Sequence, residues 1–197
     1  GYLAGKNDAW PEQSLRADLA TVRKKVLASR ADTTTPDTRL ADDPMKLNPA
    51  SIASLVQQTL GGLPTNKQGL VLHSRLRHFD PINRRAGLPS GCAALVQKLE
   101  TDSTTVTLVN TDQLNAKTVT IQAGGYGEHQ FTSGRTGTTA RKPRSDSESD
   151  HNDRSSFEIN SRTLTLTLEP GCGIDLVLGT RRYVNQPTLA FPWDRVK

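Results

Sequence analysis

The sequence predicts an α+β chain: a helical N-terminal lead-in over residues 1–89, then an antiparallel two-sheet β-sandwich over 90–197. Three observations carry this. Apolar residues alternate with Thr in Thr105-Val106-Thr107-Leu108, Thr118-Val119-Thr120-Ile121 and Thr163-Leu164-Thr165-Leu166-Thr167-Leu168, all in the second half. Period-two alternation makes strands with one face on a core and one in water, and Thr gives a polar outer face without losing β propensity. Turn signals separate these runs at short spacing with no helix between them, the rhythm of a sandwich or barrel. The first half lacks this pattern and carries a helical stripe instead.

Residues 11–30 form the clearest helix, opened by Pro11 in the first turn, with Leu15, Leu19, Val22 and Val26 on one stripe. Arg16, Arg23, Lys24 and Lys25 cover much of the remainder, so this helix packs on one neighbour. A loop of turn formers follows from Ala31 to Asp37. Asn48-Pro49-Ala50-Ser51 then opens a second helix, with Ile52, Leu55, Val56 and Leu60 inward and Gly61-Gly62 as its stop. Residues 70–79 fit a strand and a helix equally well, and 80–89 is a connection. A short helix is expected after Ser90 as N-cap, with Ala94, Leu95, Val96 and Leu99 inward.

From residue 104 the expectation is β throughout: strands at 104–110, 117–123, 126–132, 156–160, 162–168 and 173–180. Turns fall at Asp112–Asn115, at Gly124-Gly125 and at Pro170-Gly171. Residues 134–156 are read as a low-complexity, mobile loop, with five Lys/Arg and four Asp/Glu between 135 and 154. The Pro-punctuated tail from Tyr183 to Trp193 is extended.

The 197-residue length allows one large domain, or a domain with a substantial appendage. A hydrophobic share of 34% is low for a compact chain, so part of it is loop, tail or a surface that packs on something else. The first residue is Gly, and Gly1–Gly5 has neither a basic nor an apolar leader pattern. The expectation is a piece of a longer polypeptide, soluble, because no run approaches the ~18 apolar residues of a membrane span.

The net charge of +5 lies wholly in the first half, where 14 Lys/Arg face 9 Asp/Glu in residues 1–100, against 11 and 11 in 101–197. A basic balance can mean nucleic acid. Here acids are interspersed, aromatics are 5% and no nucleic-acid motif is present, so a solvated or subunit-facing surface is the expectation. Cys92 and Cys172 leave three readings open: buried free thiols, one long-range disulfide contributing about 4 kcal/mol, or an incidental pair.

The chemistry-bearing residues are scattered. His73 and His78 are five apart and make no local metal pair. Glu128-His129 after a Gly-rich turn could be an acid/base pair or two ligands, but on a strand adjacent residues face opposite ways, so a shared site needs a bulge and a structural or exposed-surface role is the plainer reading. Asp32, Asp37, Asp42 and Asp43 lack the spacing of a helix-loop-helix calcium site, and helix capping is the plainer role. Trp10, Tyr126, Tyr183 and Trp193 are the candidate exposed aromatics. With Asn185 and Gln186, the last two would supply a carbohydrate-binding mixture, against the alternative that Phe191 and Trp193 cap the sandwich. Asp80, Arg84, Arg85 and His73 could form half of a site completed by residues outside the chain. Gly-x-Ser-x-Gly and phosphate-cradling loops are absent from the sequence. No cofactor and no metal are expected, and the chain by itself leans away from being an enzyme.

Two stretches carry a resemblance: Leu76-Arg77-His78-Phe79-Asp80-Pro81 with Arg84 to Pro89, and Arg182-Tyr183-Val184-Asn185-Gln186-Pro187-Thr188 with Phe191 to Asp194. With Leu108-Val109-Asn110 and Gly124 to His129, they resemble the C-terminal region of large exported bacterial proteins of uncharacterised activity. The arrangement is similar to β-sandwich tails that follow helical catalytic domains in polysaccharide-active enzymes. The resemblance covers most of residues 70–197 and transfers no catalytic residue. It implies a non-catalytic bracing module of a secreted, extracellular or periplasmic carbohydrate-handling protein, touching polysaccharide. Its partners would be an upstream domain of the same polypeptide or partner subunits. The alternatives are an enzyme fragment holding part of a glycoside-active site, and a structural subunit of a surface layer or filament.

Overall fold

The computed structural model describes residues 1–4, 6–35, 37–38, 48–50, 53–62, 73–137 and 155–195. Among the described residues, helices α1 (Trp10–Ala31) and α2 (Ala53–Leu60) precede the strands β1 (Leu76–Asp80), β2 (Arg85–Ala86), β3 (Cys92–Leu99), β4 (Ser103–Asn110), β5 (Lys117–Ala123), β6 (Gln130–Gly137), β7 (Ser156–Ser161), β8 (Thr163–Leu168) and β9 (Gly173–Arg181). The strands form two antiparallel sheets, ordered β2-β1-β5-β8 and β3-β4-β9-β6-β7. The α+β two-sheet architecture is the one the sequence predicts.

The Thr alternation sorts the faces as expected. Val106 and Leu108 on β4, Val119 and Ile121 on β5, and Leu176 and Leu178 on β9 are buried between the sheets, with Phe131 of β6 as one of the two largest fully buried side chains. Leu164 and Leu166 of β8 pack onto this cluster and Leu168 lies within it. On the outer face of the four-stranded sheet, Thr120 and Thr165 sit opposite each other with hydroxyls 2.9 Å apart, and Thr118 and Thr167 at 3.3 Å. These are cross-strand pairs of the kind that support register at about 0.2–1 kcal/mol each.

Several elements differ from expectation, each for a local reason. The predicted helix after Ser90 is strand β3, paired with β4 from Cys92↔Asn110 to Leu99↔Thr104. A register shift between Val96 and Lys98 inserts one residue. Cys92, Ala94 and Val96 face the core before this bulge and Leu99 after it, so period two is broken into a spacing that imitates a helix stripe. The ambiguous 70–79 stretch resolves as β1 from residue 76. β1 and β2 thus lie in the four-stranded sheet, although they fall within residues 1–89 of the expected helical lead-in.

The strand expected at 126–132 runs instead over 130–137, so residues 134–137 of the expected loop are strand. Gly134 stays within the strand because the Phe157 ring of β7 lies over it, with a Cβ at that position only 2.4 Å from the ring. Residues 138–154 of that expected loop lie outside the described residues, as do Ile52, Asp42, Asp43 and His151.

Helix α2 departs from its predicted face at Leu55, while Val56 and Leu60 are half-buried. Ser54 and Gln58 are buried and Leu55 is exposed. Gln58 Nε2 donates to the Pro11 carbonyl at 3.1 Å and to Ser14 Oγ at 2.6 Å, and the Ser54 amide donates to Asp18 at 3.2 Å. The α1–α2 contact is therefore polar, and α1 buries none of its 22 residues.

The two thiols are free. Cys92 pairs with Asn110 on one side of β4, while Cys172 offers its carbonyl to the Asn110 amide on the other. That places them two strand spacings apart, about 10 Å, beyond the reach of a disulfide without backbone movement.

Candidate functional site

The loop Gly124–His129, between β5 and β6, closes one end of the sandwich together with the segment after β9. Gly124 has φ +86° and its absent Cβ leaves room for the Glu128 carboxylate, which would lie 2.4 Å from any Cβ there. Glu128 turns back and accepts the Tyr126 amide at 2.8 Å. The pair therefore sits in a turn rather than on a strand. Glu128 Oε1 lies 3.8 Å from His129 Nε2 without the bulge that strand geometry demands.

His129 is buried, and its Nδ1 accepts the backbone N–H of Tyr183 at 3.1 Å. That contact places the ring proton on Nε2, on the Glu128 side. Burial is the main cause lowering the His129 pKa. Glu128 opposes the shift, while the charges of Arg182 and Arg75 add to it. The imidazole is neutral at pH 7. Tyr183 adopts φ +54°, a left-handed conformation that costs a non-glycine residue about 1–2 kcal/mol. The His129 contact and the Asn185 side chain, which donates to the His129 carbonyl at 2.8 Å, hold it there.

These groups border a cavity of about 330 Å³ whose walls include Leu3, Leu99 and Pro187. Arg75 and Arg182 line it too. Arg75 donates to the carbonyls of Glu100 and Thr101, and burial followed by the charge of Arg182 lowers its pKa. Arg182 lies 5.1 Å over the Tyr183 ring and reaches its hydroxyl at 3.3 Å. Among the described residues neither guanidinium has a carboxylate within ion-pair distance. Ser74, 7% exposed, also lines the cavity, and among the described residues its hydroxyl has no hydrogen-bond partner.

The remaining candidates are engaged elsewhere. Asp80 is buried in the β1–β2 hairpin and accepts from the Asn83 amide at 3.1 Å, from Asn83 Nδ2 at 2.8 Å and from Arg85 Nε at 3.3 Å. Burial pushes its carboxyl up, but the Asn83 and Arg85 hydrogen bonds prevail and hold it below the usual range. Arg84 pairs with Asp194 at 2.9 Å and lies 5.9 Å over Trp193. Trp193 stacks on Phe191 at 5.1 Å and meets Phe79 edge-on at 5.9 Å, so both tail aromatics cover the outer face of the four-stranded sheet. Arg195 reaches Gln122 of β5 and pins the tail.

Trp193 and Tyr183 therefore belong to separate clusters, not to one binding tail. Trp10 stacks on Tyr2 at 5.0 Å. His73, exposed, borders the cavity, whereas His78 is buried and bonded to the Thr59 carbonyl at 2.7 Å. Among the described residues no group of three metal-ligating side chains converges. Asp32 accepts from the Thr34 amide just beyond α1 at 3.0 Å.

Sequence reading missed Arg75, Arg182 and Ser74 as parts of one site. Ser74 and Arg75 lie on the approach to β1 and Arg182 follows β9, and only the two-sheet pairing brings them together. A comparison with protein-family models, with curated proteins and with solved structures found no match to this chain.

Proposed function

We propose that this chain is a non-catalytic β-sandwich module that braces a larger body of a secreted carbohydrate-handling protein through its helical arm. The observation that carries the reading is α1: 22 residues with no buried side chain, held to α2 by polar contacts. Leu19 is 54% exposed and Leu27 64%. Leu15 and Leu19 overhang an open groove whose floor is Ala93, Leu95 and Val109 on the outer face of β3 and β4. Most helical stability in proteins comes from packing of one face rather than from propensity, so a helix with no buried side chain calls for a partner face.

Charge narrows the partner. α1 carries five Lys/Arg against Glu12 and Asp18, and those two acids are occupied by Arg16 and by the Ser54 amide. An apolar surface with an acidic rim fits best. The carbohydrate-handling and secreted parts of the reading rest on the sequence resemblance alone, since the unbridged thiols lend nothing to an oxidising compartment.

The test is Leu19→Asp with Leu27→Asp. In this chain the pair should cost no more than about 1 kcal/mol of stability in urea unfolding, about 0.5 kcal/mol for each exposed position. In the complete polypeptide the same pair should lower the unfolding midpoint and expose α1 to protease. Equal, small effects in both would overturn the bracing reading.

A further inference from the structure

We propose that the cavity between the Gly124–His129 loop and Arg182-Tyr183 binds a sugar ring bearing a carboxylate. The argument begins with charge. Arg75 and Arg182 bring two guanidiniums to one concave site and Glu128 brings one carboxylate, leaving an excess positive charge in a partly dehydrated space. Arg182 uses one donor on the Tyr183 hydroxyl and keeps the rest of its fork for a planar anion. Arg75, fixed by two backbone carbonyls, adds its charge to the same cavity wall.

The neutral groups argue for a polyhydroxylated ring rather than a bare ion. Ser74 Oγ is buried without a partner, and a buried hydroxyl left unpaired costs about 1–3 kcal/mol. The His129 Nε2–H lies too far from Glu128 for a hydrogen bond, at 3.8 Å, and Glu128 Oε1 can accept from a hydroxyl. Leu3, Leu99 and Pro187 offer apolar contact to the C–H face of a ring. A cavity of about 330 Å³ holds one such ring, at the lower end of the usual range for small-ligand sites. The left-handed backbone at Tyr183 is a strained position next to Arg182 on the cavity wall.

This site rests on the carbohydrate part of the proposed function and not on the arm. The α1 variants read a different surface, so either idea can fail alone.

The experiment is a titration of the isotopically labelled chain, followed at the amides of Ser74, His129 and Tyr183 by NMR. D-glucuronate, D-glucose and inorganic phosphate are the three probes. Glucuronate should shift these amides saturably, with glucose and phosphate each at least tenfold weaker. Arg182→Gln should weaken glucuronate binding at least tenfold, Arg182→Lys should fall between, and Arg84→Gln, in the other cluster, should leave it unchanged. Glucose binding as well as glucuronate would overturn the role of the carboxylate. Phosphate binding as tightly would reduce the site to a simple anion hole and overturn the ring. No saturable shift, or an unaltered Arg182→Gln, would overturn the proposal outright.

Discussion

Asn110→Ala should cost about 3–5 kcal/mol of stability, a loss as large as that of a core aromatic. Asn110 is fully buried at the end of β4, on the face that carries Val106 and Leu108. Its Nδ2 donates to the carbonyls of Asn115, Leu168 and Glu169 at 2.8, 3.2 and 3.1 Å, and its Oδ1 accepts the Asp112 amide at 3.0 Å. One amide thus ties the β4–β5 turn to the β8–β9 turn across the two sheets. Removing it strands buried backbone groups, each costing about 1–3 kcal/mol, and leaves a cavity. Asn110→Asp is the sharper probe. Its carboxylate would face three carbonyl oxygens, so the variant should be no more stable than Asn110→Ala at pH 7 and should recover on acidification. Urea midpoints with unchanged slope would establish both. Losses under 1 kcal/mol would show that the turns hold without the clamp.

Acidification should destabilise the chain between pH 6.5 and about 4, and His78 should account for about 3 kcal/mol of that loss. Burial pushes the His78 pKa down to about 4, against a partial opposing effect of the Thr59 carbonyl. Its Nε2 lies 2.7 Å from that carbonyl and its Nδ1 has no partner, so the folded ring is neutral with the proton on Nε2. The unfolded ring binds a proton near its ordinary 6.5, whereas the folded one does not until about 4. Below 6.5 the unfolded state therefore holds more protons and gains ground, and the loss is complete once both rings are charged. His129, lowered mainly by burial, acts in the same direction.

Because His78 links β1 to α2, the helical arm should loosen first. Stability curves of the wild type and His78→Gln, measured from pH 7 to 4, should diverge by that amount. Parallel curves, or an NMR titration of the His78 ring near 6.5, would contradict the assignment.

The strands on either side of a clean turn were the most readable part of the sequence. Lys117–Ala123 and Thr163–Leu168 show uninterrupted alternation, and both pair where that alternation requires. β3 was not readable, because its bulge at Gln97 converts a period of two into a helical spacing. β1 failed for another reason: Leu76, His78, Phe79 and Asp80 are all buried, since α2 lies on one side and the Phe191–Trp193 tail on the other. A strand covered on both faces has no alternation to show. In α2, apolarity pointed to Leu55, while the buried face is set by Gln58 reaching Pro11 and Ser14. The cavity was legible as separate candidates, Glu128-His129, Tyr126, Tyr183 and His73, and not as one site. Arg75 and Arg182 are ordinary basic residues in sequence, and they become a site only through the register that joins β1 to β5 and β6 to β9.

The bracing role turns on whether α1 is completed by something outside the chain. Hydrogen–deuterium exchange over residues 10–31, compared between this chain and the longer polypeptide that the bracing reading proposes, tests that directly. In this chain the α1 amides should exchange far faster than those of β4 and β9. In the longer polypeptide they should slow by about two orders of magnitude, as for a helix held by a packed face. Equal exchange of α1 in the two, or protection of α1 in this chain matching that of β4, would contradict the account.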